Sequence, residues 1–350
     1  MWFVPEMYKN TWLKRADVLI LFVILIMSSV VTSATEAAKG DVSTDNKIFN
    51  LSFFDENIIY VDDDNTEGPW NGTMEYPYQF IQDGVDNAES DNTVFVFNGI
   101  YYEHVIINKK INLTGEQKEI TIIDGSNDDE VLSVTENYVS INGFTIQNSG
   151  SPFQDAGIYI RSHFNTISNT ILCSNTVGIY LRGLHSNVIK ENTFTDCDYG
   201  IYLEASDSNS IKDNIFLNNT QGVTLEKSSS NDIHGNIISD NVDGITLTSF
   251  CDLNTIVGNH ISDNMRYGIF MRRLFEKQND VYHNNFINNF INAYIETSIW
   301  TNWEYNYWDN WFGLNDPQYD FLPKVIIGCL IPTILWVNFD FHPAKEPFEM

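Results

Sequence analysis

The chain has 350 residues, of which 43% are hydrophobic, enough to form one long core. Its 47 acidic and 19 basic residues give a formal net charge of −28. So acidic a surface repels nucleic acid, and no basic stripe interrupts it, which excludes a nucleic-acid-binding function. Two explanations of the charge stay open: solubility in salty or cation-rich surroundings, and the binding of divalent cations.

The first 34 residues have the order of an export signal. Lys9, Lys14 and Arg15 precede an apolar run at residues 18–27, and small residues follow as far as Ala34. Charged, apolar and small-residue regions in this order are typical of a signal peptide, and we predict cleavage after Ala34. An uncleaved N-terminal anchor is the alternative, and only this segment would then contact a membrane. In both cases the rest of the chain is expected to be secreted or at the cell surface. Residues 35–57 are interpreted as a polar spacer between the export signal and the folded part.

Residues 58–125 are predicted to form an N-terminal cap and the first irregular coils. A strand at residues 58–61 is followed by Asp62, Asp63 and Asp64. These adjacent carboxylates are candidate ligands for Ca²⁺, which takes six to eight oxygens, although an exposed acidic turn has the same sequence. No cofactor is certain from the sequence, and calcium is the candidate.

A short helix is predicted at residues 78–88. Phe80, Ile81, Val85 and Ala88 fall on one helical face, with Gln and Asp opposite. The open end of a stacked sheet needs a cover because bare strand edges invite aggregation. The helix is therefore interpreted as the N-terminal capping helix.

From residue 157 the chain repeats one pattern, Gly-apolar-x-apolar followed by two Asn-x-apolar phrases, with a period of about 22 residues. Each unit holds three short apolar runs split by Asn, Ser and Gly, which favours strands over helices. The sequence therefore predicts an all-β parallel β-helix with three strands per coil and regular coils at residues 126–299. A leucine-rich repeat has a similar period, but here Asn occupies the fixed positions. The repeat glycines are Gly157, Gly178, Gly200, Gly222, Gly244 and Gly268.

The asparagines of the first Asn-x-apolar phrase keep step with the glycines. Asn can bond its own backbone or tolerate left-handed geometry at a bend, and stacked Asn side chains can bond to one another. We interpret them as structural residues. They are Asn165, Asn187, Asn209, Asn231, Asn254 and Asn279.

Residues 300–350 are predicted to be an aromatic C-terminal cap. Trp303, Trp308 and Trp311 belong to a segment whose bulky rings would plug the last coil, although aromatic rings also stack on sugars. Residues 325–337 are apolar but too short to span a bilayer, so they are interpreted as one cap strand. The cysteines match no metal motif; Cys173 and Cys197 are near neighbours on adjacent coils, either disulfide-bonded or, as we prefer, small buried thiols.

The chain resembles the export-directed right-handed β-helix proteins of the NosD type, also called the carbohydrate-binding and sugar-hydrolysis (CASH) repeat family. The resemblance covers about residues 58–345 and implies a right-handed single-stranded parallel β-helix. It is weak for activity, because the group includes sugar-active enzymes, binding modules and a copper-delivery accessory protein. The stretches that carry it are residues 80–85, 93–103, 111–116, 122–125 and the tail 306–309.

Side chains at equivalent positions of successive coils form columns, since the coils stack about 4.8 Å apart. Outward tyrosines would stack on sugar rings, and arginines would pair with uronate or sulfate. One coil apart, Glu204 and Glu226 are near the separation of about 5–5.5 Å for retaining glycosidase carboxylates. The candidate ligand-binding residues are Tyr159, Tyr180, Tyr202 and Arg161; the candidate catalytic residues are Glu204, Glu226 and Arg182; the candidate metal ligands are His163, His185 and Asp207.

Three functions follow as hypotheses. The first is a cell-surface module that binds polysaccharide or another surface partner. The second is a polysaccharide hydrolase or lyase, with Glu204 and Glu226 as acid and nucleophile or with Arg182 as a lyase base. The third is a copper accessory protein, which needs His163, His185 and Asp207 to converge. Each hypothesis also has a purely structural counterpart, because outward aromatic ladders stabilise strands and surface ion pairs contribute little.

Overall fold

A computed structural model describes residues 57–272, 278–297, 301–311, 322–331 and 334–349. The described residues all belong to one compact unit that begins at Asp55. The predicted signal peptide and the spacer before residue 57 lie outside the described residues. Across the described ranges, no helix has the length and apolar character needed to cross a membrane.

The fold is an all-β parallel solenoid of about nine turns with very little helix. Before the first repeat glycine, the described chain contains nine strands and the helix α1 (Ile81–Asn87). Those strands are β1 (Ile58–Val61), β2 (Thr93–Val96), β3 (Gly99–Tyr101), β4 (Val105–Ile107), β5 (Asn112–Gly115), β6 (Thr121–Asp124), β7 (Leu132–Val134), β8 (Ser140–Asn142) and β9 (Thr145–Gln147).

The regular turns stack each strand on its equivalent in the next turn. We call the strands of a turn its first, second and third strands. The first strands are β10 (Ala156–Ile160), β13 (Val177–Arg182), β16 (Tyr199–Glu204), β19 (Gln221–Glu226), β22 (Asp243–Thr248), β25 (Tyr267–Arg272) and β28 (Ile291–Glu296). The second are β11 (Thr166–Ser168), β14 (Val188–Lys190), β17 (Ser210–Lys212), β20 (Asp232–His234), β23 (Thr255–Val257), β26 (Asn279–Tyr282) and β29 (Thr301–Glu304). The third are β12 (Ile171–Cys173), β15 (Thr193–Thr195), β18 (Ile215–Leu217), β21 (Ile237–Ser239), β24 (His260–Ser262), β27 (Asn285–Ile287) and β30 (Tyr307–Trp308).

The repeat glycine marks the closest approach between first strands. A Cβ at Gly200 would lie 2.5 Å from the carbonyl oxygen of Gly222 in the next turn, so no larger residue fits there without a shift. After the glycine the strand alternates as predicted, with Ile201 and Leu203 fully buried and Tyr202 on the outer face. Inside, Phe194 stacks on Phe216 with ring centroids 4.7 Å apart. The alternation therefore fixes which side chains reach the outer surface.

The bend asparagines form a continuous hydrogen-bonded ladder, as the structural interpretation predicted. The backbone N–H and the Nδ2 of Asn187 both donate to Oδ1 of Asn209, at 2.9 and 3.2 Å. Asn209 repeats the pattern to Oδ1 of Asn231. The left-handed backbone falls elsewhere than expected: it belongs to the residue before five of the six asparagines, such as Ser186 at φ 60° and Ser208 at φ 56°. The amide can thus turn inward toward the next turn.

Helix α1 is shorter than predicted, and two residues of its predicted apolar face, Phe80 and Ala88, flank it. Ile81 and Val85 are buried, whereas Phe80 precedes the helix and is 49% exposed. The start is fixed by Glu103, whose carboxylate accepts hydrogen bonds from the N–H groups of Ile81 and Gln82. The helix phase is therefore set by a distant carboxylate that local periodicity does not reveal.

The C-terminal segment has two strands where the sequence suggested one. β31 (Lys324–Ile331) and β32 (Ile334–Asp340) pair antiparallel. Ahead of them, Trp308 stacks on Phe286 with centroids 4.2 Å apart, and Trp303 and Trp308 are buried. These rings therefore pack against the core beside β27 and β29.

Candidate functional site

The outer face of the first strands carries the predicted columns in the predicted register. Strand pairing places Tyr180 against Tyr202 and Glu204 against Glu226. The aromatic column runs Tyr159, Tyr180, Tyr202, Thr224, Thr246, Phe270 and Tyr294. The charged column runs Arg182, Glu204, Glu226, Thr248, Arg272 and Glu296.

Tyrosines and carboxylates of these columns are joined by hydrogen bonds. The hydroxyl of Tyr180 donates to Oε2 of Glu204 at 2.5 Å, and that of Tyr202 donates to Oε2 of Glu226 at 2.6 Å. The hydrogen bond from Tyr202, and then the one from Lys227, hold the pKa of Glu226 below its usual value. Burial, with the adjacent carboxylates, raises the pKa of both tyrosines. Glu226 is therefore held as a carboxylate and the tyrosines as neutral donors.

Tyr180 is not available to stack on a sugar, which corrects the prediction for this residue. Its side chain points to the outer face but is only 1% exposed. Phe153 packs edge-on against it at 5.6 Å, and the rings of Tyr159 and Tyr202 lie 4.9 and 5.8 Å away. Phe153 comes from the segment inserted before the regular repeats, so it covers this part of the column. Tyr202 stays partly exposed.

The arginines are already engaged within the protein. Arg161 lies over the ring of Tyr159 at 4.0 Å and pairs with Glu130 at 2.7 Å. Arg182 lies 3.5 Å from Glu204, in an ion pair whose side chains are 58% and 26% exposed. An arginine is protonated in proteins, so Arg182 is not suited to act as a lyase base.

The candidate metal ligands do not converge. His163 and His185 stack with centroids 4.0 Å apart, and His163 Nδ1 accepts a hydrogen bond from the backbone N–H of His185. Asp207 accepts one from the N–H of Ser229. Among the described residues, three potential ligand atoms come within 4.8 Å of one another only at Asp129, Glu130 and Asp155. Neither the histidine pair with Asp207 nor the acidic turn at residues 62–64 forms such a set. The cysteines, including Cys173 and Cys197, are free thiols.

A groove of about 230 Å³ lies further along the same face. Asp243 is 1% exposed and is gripped by Arg266, whose Nε donates to Oδ1 at 2.7 Å and whose Nη2 donates to Oδ2. Thr246 is 5% exposed, and its Oγ1 has no hydrogen-bond partner among the described residues. The groove is lined by Tyr199, Tyr202, Gln221, Thr224, Asp243, Thr246, Thr248, Arg266, Phe270 and Arg272.

Sequence reasoning missed half of this groove because it followed only the columns after the repeat glycine. Tyr199, Gln221 and Asp243 occupy the position immediately before that glycine, and their strands pair in register. The change in this column from apolar Ala156 and Val177 to polar Gln221 and Asp243 was the available signal. An outward position that turns polar in consecutive coils points to a surface that contacts solvent or ligand.

Comparison with known proteins identifies the family. The profile described as "Periplasmic copper-binding protein (NosD)" matches residues 85–313. The chain belongs to the NosD family. No curated protein gives a significant match to this NosD-family chain.

Solved structures similar to this NosD-family protein include three with carbohydrate names. The A-module of the Azotobacter vinelandii mannuronan C-5 epimerase AlgE6 is 12% identical over 65% of this chain and 87% of its own, with a TM-score of 0.42. XylC in complex with xylose is 12% identical over 81% and 73%, with a TM-score of 0.46. The periplasmic alginate epimerase AlgG is 15% identical over 63% of this chain and 57% of its own, with a TM-score of 0.38. At these scores the likenesses say nothing about the activity of this chain.

Proposed function

We propose that this NosD-family protein is an extracytoplasmic β-helix protein that binds a polysaccharide on the outer face of its first strands. The groove carries the proposal, because it combines partly exposed rings of Tyr199, Tyr202 and Phe270 with polar groups held in fixed positions. Rings of this kind offer apolar faces to sugars, while a few placed polar groups orient a ligand. The family's description as periplasmic and the predicted export signal support a location outside the cytoplasm.

The finer organisation belongs to the same proposal. The solenoid is right-handed with three strands per coil, α1 caps its N-terminal end, and the tryptophan-rich segment caps its C-terminal end. The recurring strand sets and the buried stack of Trp308 on Phe286 support this arrangement. Residues 1–34 serve for export, 35–57 as a spacer, 58–125 as cap and irregular coils, 126–299 as regular coils and 300–350 as the terminal cap.

Binding is tested with the exported chain and a panel of soluble polysaccharides, by affinity electrophoresis and titration calorimetry. Replacing Tyr202→Ala should weaken binding by about tenfold or more, since it removes an aromatic contact from the groove wall. Tyr202→Phe keeps the ring and should retain most of the affinity. Tyr102→Ala is the matched control, because Tyr102 is 69% exposed and lies outside the groove.

Absence of binding to every polysaccharide in the panel would contradict the proposal. Equal affinities for the wild type and Tyr202→Ala would place any binding elsewhere on the protein.

A polysaccharide-active enzyme is the second candidate, with Glu204 as acid and Glu226 as nucleophile. Two features favour it: these residues pair in adjacent strands, and Tyr202 with Lys227 keeps Glu226 ionised, the form a nucleophile needs. If the protein releases reducing ends from a polysaccharide, Glu226→Gln should lower the rate by about 100-fold or more. Lys227→Ala, which leaves both carboxylates in place, is the comparison variant. An unchanged rate in Glu226→Gln would exclude this site.

A copper accessory role is the third candidate, because the family is described as copper-binding. The stacked pair of His163 and His185 offers two imidazoles, but no third described His, Cys, Asp or Glu ligand joins them within 4.8 Å. Copper is selected by the type and the geometry of its ligands. Two imidazoles without a third ligand define that geometry less well than a complete set of ligands does. The geometry therefore supports sugar binding better than metal delivery.

A further inference from the structure

The groove is a gap in the aromatic column. Along this column Tyr202 and Phe270 are separated by two threonines, Thr224 and Thr246. The strands that carry the two rings are three spacings apart, about 14 Å. Small side chains between two rings leave a notch with a threonine floor and an aromatic wall at each end. Its volume of about 230 Å³ is below the range of about 300–1,000 Å³ for drug-sized ligands, so it suits a unit the size of one sugar.

The two threonines of the floor differ in one respect. The hydroxyl of Thr224 donates to Oε1 of Gln221, three residues before it, at 2.6 Å. The residue equivalent to Gln221 in the next turn is Asp243, so Thr246 has a potential acceptor in the same place. Both oxygens of Asp243 accept from Arg266, and the hydroxyl of Thr246 makes no hydrogen bond to them. The arrangement that satisfies Thr224 is therefore not repeated at Thr246.

This arrangement leaves a polar group that needs an outside partner. Thr246 is 5% exposed, and its hydroxyl has no partner within the described part of the chain. A buried hydroxyl without a hydrogen bond destabilises the folded protein, and a bound hydroxyl group or ring oxygen would supply the missing bond. The groove is thus incomplete without a ligand that can both donate and accept at this point.

The charges of the groove are compensated within the protein. Asp243 is paired with Arg266, and Nε of Arg272 lies 3.3 Å from a carboxylate oxygen of Glu296. Each of the two cations that line the groove thus already has a carboxylate beside it, and the Nε of Arg272 makes no hydrogen bond. The formal net charge of −28 adds a repulsion against polyanions.

We propose that this groove binds one uncharged sugar unit of a neutral polysaccharide, with the Thr246 hydroxyl as its buried hydrogen-bonding group and Tyr202 and Phe270 as its walls. The inference rests on the proposed function and narrows it, because it excludes uronate and sulfated chains as the preferred ligand. Thr246 donates to a ligand oxygen and accepts from a ligand hydroxyl, while the Asp243–Arg266 pair orients the sugar from the side.

The test uses the exported chain with soluble neutral glucan, xylan and mannan, and with alginate and polygalacturonate in native and carboxyl-reduced forms. Carboxyl reduction changes the charge of a polymer while keeping its backbone. Neutral or carboxyl-reduced polymers should bind at least tenfold more tightly than their anionic counterparts. Thr246→Val, which keeps the shape of the side chain, should weaken that binding by about tenfold while leaving the thermal midpoint unchanged or higher, because no internal hydrogen bond is lost.

Thr255→Val is the matched control, since Thr255 lies on a second strand outside the groove and should retain wild-type affinity. Preference for the anionic polymers would overturn the inference and leave the proposed function standing. If binding to the neutral polymers fell in Tyr202→Ala but was unchanged in Thr246→Val, the inference would likewise be overturned and the proposed function would stand. Binding to none of the polymers would overturn both.

Discussion

Replacing Asn209→Ala should lower the free energy of unfolding by about 3–5 kcal/mol, because several buried groups lose their partners at once. Oδ1 of Asn209 accepts from the N–H and the Nδ2 of Asn187. Its Nδ2 donates to the carbonyl of Leu184 at 3.2 Å and to the ladder oxygen of Asn231. Alanine satisfies none of these groups, and no water reaches a ladder position that is 1% exposed.

The measurement is urea unfolding of the exported chain, followed by hydrogen exchange at the backbone amide of Asn187. Asn108→Ala is the control, because that asparagine is exposed and lies outside the ladder. Asn209→Asp tests the acceptor role and the donor role separately. It keeps an oxygen that accepts from Asn187, but it replaces the donating amide with a second oxygen that faces the carbonyl of Leu184. Folding should raise the pKa of the introduced carboxyl, so this variant should be more stable below that pKa and lose stability as the pH rises through it.

An unchanged urea midpoint in Asn209→Ala would mean that the ladder follows from strand stacking and contributes nothing of its own. In a solenoid each turn contacts only its neighbours, so the loss should be concentrated at the adjacent turns. Protection of amides in distant turns should therefore fall less than protection at Asn187.

The sequence was sufficient for the register of the solenoid because repeated constraints fix it. Gly200 is forced by a carbonyl of the next turn, and each bend asparagine bonds its successor, so a slip of one residue breaks every turn. Tyr202 and Glu226 could therefore be assigned to outward columns without a structure. This is the part of the fold that periodicity encodes.

Periodicity could not predict what non-repeating residues do to those columns. Tyr180 occupies the same column as Tyr202, yet Phe153 from an insertion buries it. The phase of α1 depends on Glu103, some twenty residues away in sequence. In both cases a residue outside the pattern decides the exposure of one inside it.

The candidate groove shows the same limit at the level of single hydrogen bonds. Thr224 and Thr246 look equivalent in the repeat, but Thr224 donates to Gln221, whereas Thr246 makes no hydrogen bond to Asp243, which is paired with Arg266. Columns of like residues therefore identify a surface, and differences between neighbouring columns decide which of its polar groups are free for a ligand. To predict from sequence which polar groups are free for a ligand, neighbouring columns must be compared with each other.

Replacing Asp340→Leu should destabilise the C-terminal end by about 3 kcal/mol or more, since one carboxylate oxygen there serves three donors. Oδ2 of Asp340 accepts from the N–H of Asn306 at 3.0 Å, from its Nδ2 at 3.2 Å and from Nε1 of Trp308 at 3.0 Å. Asp340 is fully buried and ends a second ladder, in which the asparagines of the second Asn-x-apolar phrase bond one another in the same way. Its members are Asn192, Asn214, Asn236, Asn259, Asn284 and Asn306. Leucine has a similar size but leaves all three donors without an acceptor.

Asp340→Asn is the informative comparison, because its amide oxygen can still accept while the charge is removed. We expect it to lose no more than about half of the stability that Asp340→Leu loses, since hydrogen bonds to a charged acceptor are stronger than those to a neutral one. Thermal unfolding followed by tryptophan fluorescence reports mainly on the C-terminal end, since five of the eight tryptophans follow residue 299, among them Trp308, which stacks on Phe286. If Asp340→Leu unfolded at the wild-type temperature, the ladder would not need a terminal acceptor, and the aromatic stack alone would hold the end of the solenoid.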